Sequence, residues 1–71
     1  MRYMVIIEKG EGGYGAYVPD LPGCIAAADT REEVLQLIKE AIDFHIEGLR
    51  AEGQPVPRPS SAGEFVEVNA A

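Results

Sequence analysis

From Arg2 to Glu8 the chain is almost continuously apolar, with Tyr3, Val5 and Ile7 on one side of an extended segment and Met4 and Ile6 on the other. That pattern predicts a strand covered on both faces, either central in a sheet or at a subunit contact. Lys9 to Gly13, K-G-E-G-G, predicts a hairpin tip leading into a second strand over Tyr14–Val18. The glycines do not make a phosphate loop, because an amphipathic strand follows them rather than a helix and a Lys-Ser pair. A third strand is expected over Cys24–Ala28, where the alanines suit a sheet that a helix crosses closely.

Asp29-Thr30 then opens a helix. Thr30 with Glu33 three residues on forms a capping box, and Glu32 and Glu33 complement the positive helix end. At about 100° per residue, Val34, Leu35, Ile38, Ala41, Ile42, His45, Ile46 and Leu49 share one face. Leu37, Phe44 and Gly48 widen that face to an arc of roughly 200°, beyond the stripe of about 100° that docking on one sheet requires. Leu37 and Phe44 are therefore assigned to a second contact surface, an oligomer interface. The opposite side carries Glu32, Gln36, Lys39, Glu40, Asp43, Glu47 and Arg50. Gly53 is a natural stop. The proline-rich stretch 53–63 is expected to run extended without self-pairing, and Glu64–Asn69 to return as a closing strand with Val66 and Val68 inward. The expectation is one α+β domain over residues 1–71. It is a small antiparallel sheet in the order β-β-β-α-β, with one long helix packed on one face.

Between the second and third strands lies P-D-L-P-G. Pro19 and Pro22 fix φ, and Pro22-Gly23 suits the central positions of a type II turn, with φ above zero at Gly23. Asp20 is expected to accept from the backbone just ahead, and Leu21, the loop's one apolar side chain, to tuck inward.

Length sharpens the oligomer expectation. A chain of 71 residues has a marginal core. One cysteine, Cys24, allows no internal disulfide, and one histidine adds no zinc cluster, so self-association is the remaining support. Six basic against twelve acidic residues give a net charge of -6, which argues against direct nucleic-acid binding. The apolar N-terminal run is too short for a signal peptide or membrane span, so the expected location is cytoplasmic.

Catalytic chemistry finds little footing. Cys24 has only His45 as a conceivable base, nothing in the spacing joins them, and a small core role suits the cysteine. His45 sits in the apolar arc, as a core histidine or an interface group. A metal-dependent nuclease would need Glu8, Asp20, Asp29 and Glu67 to converge, and each has a simpler role as cap, turn former or solvated charge. The chain is expected to be no enzyme and to need no metal or cofactor.

Three segments together, G-Y-G-A-Y-V-P-D-L-P-G-C-I-A-A-A-D-T-R-E-E-V, the helix with E-A-I at Glu40–Ile42, and G-Q-P-V-P-R-P, resemble the HicB family of antitoxins from about Met4 onward. Ala28 departs from a glycine common there. The resemblance implies a partial RNase H-like fold without nuclease activity. It also implies a partner, a small basic HicA-type toxin that cuts messenger RNA. Asp20, Glu40, Asp43 and Glu47 are the candidate contacts for such a basic partner, and Pro19, Pro22, Gly23, Thr30 and Glu33 the structural motif. Longer relatives continue into a DNA-binding domain; here the sequence stops at Ala71, so the expectation is a short form without autoregulation. Two other readings remain open from the residues: a stand-alone oligomeric binding domain, and, more remotely, the metal-dependent nuclease. A neighbouring gene for a basic chain separates the antitoxin from the first.

Overall fold

A computed structural model describes residues 1–70. The strands are β1 (Ile6–Lys9), β2 (Tyr14–Tyr17) and β3 (Ile25–Ala28), followed by the helix α1 (Arg31–Ala51). They form one antiparallel sheet in the order β1-β2-β3, with Ile7 opposite Ala16 and Ala16 opposite Ala26. This row faces the helix. Ala16, Val18, Leu21, Cys24, Val34 and Ile38 make the core. α1 packs on β3 and β2, and the half-buried Ala26 and Ala28 form part of the floor beneath it. Small side chains on β3 admit that close approach, as the alanine run predicts.

Local chemistry sets the boundaries. The β1–β2 hairpin is closed by the Gly10 N–H donating to the Gly13 carbonyl at 2.8 Å. Gly13 must be glycine, because a Cβ there would stand 2.5 Å from the carbonyl oxygen of Ala28. At the helix start the Thr30 hydroxyl oxygen accepts from the Glu33 N–H at 3.1 Å, and the same hydroxyl donates to the Glu33 carboxylate at 3.0 Å. At the other end Gly53 has φ +69, its N–H donates to the Arg50 carbonyl, and the Gln54 N–H donates to the Leu49 carbonyl. Those two bonds are a Schellman ending.

The structure departs from expectation in several places. β1 begins at Ile6 rather than Arg2. Its partner β2 ends at Tyr17, where the chain turns toward Pro19, so Arg2–Val5 have nothing to pair with. Of the two positions expected for β1, its place at the sheet edge excludes the centre and leaves the subunit contact open; its two apolar faces are only half-covered. No closing strand forms over Glu64–Asn69. Val66 and Val68 are 74% exposed rather than inward, because no layer of the single chain covers that position. Leu35, assigned to the docked helix face, is 37% exposed, since the sheet is narrower than the apolar arc. The α+β class, three-stranded antiparallel sheet and single long helix are as expected.

Candidate functional site: an acidic helix face and a latched strap

The loop between β2 and β3 is two consecutive turns. The Leu21 N–H donates to the Val18 carbonyl and the Cys24 N–H to the Leu21 carbonyl, both at 3.1 Å. In the second turn Pro22 and Gly23 hold the central positions and Gly23 has φ +85, a type II geometry. Leu21 is fully buried below. The loop is thus stiff and self-closed, as its composition predicts.

Asp20 is used differently. It does not bond the backbone just ahead; its carboxylate accepts from four donors some forty residues away. The N–H groups of Ser60 and Ser61 reach Oδ2 at 2.8 and 2.9 Å, and their hydroxyls reach Oδ1 at 3.1 and 2.7 Å. The Ser61 N–H, then the Ser60 N–H, and then the Ser61 hydroxyl hold the Asp20 carboxyl at about 2, below its ordinary 3.8. This latch draws the proline-rich strap back along the body, and the Tyr3 hydroxyl adds a hydrogen bond to the Pro57 carbonyl. Sequence reasoning missed both contacts. The available signal was a loop acid and a Ser-Ser pair following a stiff extended run, and nothing local joins them.

The helix acids are arranged otherwise. Glu40, Asp43 and Glu47 are all exposed. Glu40 accepts from the Gln36 side chain at 3.0 Å, an ordinary i, i+4 contact. Asp43 and Glu47 line a shallow groove of about 440 Å³ whose apolar part is Met1, Tyr3, Ile42 and Ile46, with Arg50 beside them. Three carboxylates at a spacing of three and four residues thus share one solvent-facing side of α1, next to apolar surface. Leu37 and Phe44 are 42% and 79% exposed, so the helix flank assigned to a second contact is uncovered in the single chain. Cys24 is buried, and burial pushes its thiol up, away from nucleophilic use. His45 is half-buried on the docked side of α1. Among the described residues no three His, Cys, Asp or Glu side chains are placed to hold a metal ion, and no helix is long and apolar enough to cross a membrane.

Residues 3–70 match the family model described as HicB_like antitoxin of bacterial toxin-antitoxin system. A UPF0150 protein of Synechocystis is 53% identical over 80% of this chain and 73% of its own length. Antitoxin HicB 2 of Photorhabdus laumondii is 41% identical over 99% of this chain and 51% of its own. The chain therefore spans about half the length of that relative, as it does of a similar 14.9 kDa protein of Haemophilus phage HP1. A chain in the solved HicA3 and HicB3 toxin-antitoxin complex superposes with a TM-score of 0.72 at 37% identity, over 83% of this chain and 70% of that one. The family model over residues 3–70 and the fold match over 83% of the chain agree that this chain belongs to the HicB-like antitoxin family.

Proposed function

We propose that this protein neutralises a small basic HicA-type toxin by direct protein–protein contact, acting in the cytoplasm and without catalysis of its own. The observation that carries the reading is the likeness to a chain from a HicA3–HicB3 complex, in a protein whose net charge is -6. The contact proposed is the exposed acidic side of α1, Glu40, Asp43 and Glu47, beside the groove of Ile42 and Ile46. Carboxylates flanking apolar surface suit a basic protein face, steering it electrostatically and then burying contact area. Asp20 joins such a contact only when the strap is released, since its oxygens are already filled. The protein is further proposed to self-associate, with Leu37 and Phe44 as an exposed oligomer face. It is proposed to bind neither nucleic acid nor any cofactor.

The test is charge reversal. A variant with Glu40, Asp43 and Glu47 all changed to Lys should fold as the parent does, because these side chains are exposed. It should associate with a basic HicA-type toxin about tenfold more slowly or worse, and the parent's rate should fall with added salt. Full rescue of growth by the reversed-charge variant, with salt-independent association, would place the contact elsewhere.

A further inference from the structure

The chain changes character at Gly63. Up to Ser61 it is tied to the body through Asp20 and Tyr3, and at Gly63 it lies so close to Met4 that a Cβ would stand 2.9 Å from the methionine methyl. Beyond that point it is uncovered. Phe65 is 103% exposed, and Val66 and Val68 each 74%. Three large apolar side chains within four residues are an unpartnered surface, and E-F-V-E-V-N has the make-up of a strand.

Beside it is an unfinished sheet. Among the described residues β1 pairs with β2 alone, so its outer edge presents free N–H and C=O groups. The helix sits over β3 and β2 and leaves Val5 and Ile7 half-buried. A groove of about 550 Å³ opens there, lined by Val5, Ile7 and Tyr14, by the start of the tail, and by two cations, Lys9 and Arg31. In a chain with six basic residues against twelve acidic ones, an apolar slot holding two cations fits a strand face made of Glu64, Val66 and Val68.

We infer that residues 64–69 are an exchanged strand: the tail of one copy adds to the free β1 edge of a second copy and fills its groove, and the second tail returns the exchange. A tail laid on its own β1 would extend the sheet further from α1, which already stops short of that edge. Its hydrogen bonds would form, but one or the other side of Phe65–Val68 would stay in water. The body of a second copy supplies the missing layer, and a two-fold exchange closes both edges at once. Glu64, on the same strand face as Val66 and Val68, meeting Lys9 and Arg31 also gives two acidic copies a local attraction. The contact requires no toxin, so it stands or falls separately from the function proposed above.

A photoreactive benzophenone side chain in place of Phe65 tests this in the full-length chain. Light and ¹⁵N-labelled copies are mixed in denaturant, refolded and irradiated. The expected product is a covalent dimer joining one light and one heavy copy, attached within Met4–Lys9. Attachment confined to the probe's own copy, attachment away from β1, or no cross-linked dimer overturns the exchange. Independently, Val66→Glu and Val68→Glu introduced into a Leu37→Ser, Phe44→Ser background, which removes the helix-flank contact, should sediment at about half the mass of that background with the same circular dichroism. An unchanged mass overturns the proposal as well.

Discussion

Val18–Cys24 and Glu64–Asn69 are both short stretches outside helix and strand, and both carry large apolar side chains. In the first, Val18, Leu21 and Cys24 are all buried; in the second, Phe65, Val66 and Val68 stand in water. The difference lies in the backbone. Val18–Cys24 closes on itself, with the N–H groups of Val18, Leu21 and Cys24 all donating to carbonyls inside the same seven residues. Glu64–Asn69 makes no such bond among the described residues. An irregular segment with its polar groups satisfied internally can be pushed into a core; one without must find a strand to pair with. Irregular is therefore not the same as loose.

The largest effect expected from this contrast is at Leu21. Its fully buried side chain makes Leu21→Ala cost about 2–5 kcal/mol in thermal or denaturant unfolding, the range for emptying a core site. A loss under 1 kcal/mol would reduce the loop to a surface connection and erase the contrast.

A smaller loss is expected at Gly23. Open space surrounds its missing Cβ, so only its φ of +85 resists a side chain. Gly23→Val should cost about 1–3 kcal/mol through backbone strain. An unchanged melting temperature would show that the turn gives way and that the loop is not stiff.

The smallest effect is local and concerns the latch between the first region and the strap that leads into the second. The Asp20 carboxyl is held at about 2 against 3.8 when free. A depressed value means the latch contributes fully above pH about 4 and is lost as the pH falls toward 2. The Asp20 carboxyl resonance and the Ser60 and Ser61 amide resonances should titrate together with a midpoint near 2, while the core is unchanged. A midpoint near 4 would mean that the strap is not held in solution.

The same contrast explains what the sequence disclosed. The Thr30 cap, the Gly53 stop, the Pro22-Gly23 turn and the hairpin tip each depend on residues within a few positions, so local pattern finds them. The antitoxin family was legible for a related reason, because its identifying residues sit in that same loop and helix start. Three features were hidden. The partners of Asp20 lie forty positions away, and β1's start depends on where β2 stops. The closing strand failed because propensity over Glu64–Asn69 says how that chain would pair, not that anything lies beside it. Of the candidate contacts, helical periodicity placed Glu40, Asp43 and Glu47 correctly on the solvent side, whereas the occupied carboxylate of Asp20 could not be read from its loop.

The latch also imposes an order of events on a newly made chain. Synthesis proceeds from the N-terminus at about 5–20 residues per second, so Asp20 emerges seconds before Ser60 and Ser61. Only at the end of that interval, once Gln54 is made, do the two turns, the sheet and the helix have every residue they need, while the Asp20 carboxylate is bonded only to water. The body is thus assembled around an open acceptor, and the strap docks afterwards onto a preformed receptor. A substitution at Ser60 or Ser61 should leave the yield of folded body unchanged and alter only this final docking step.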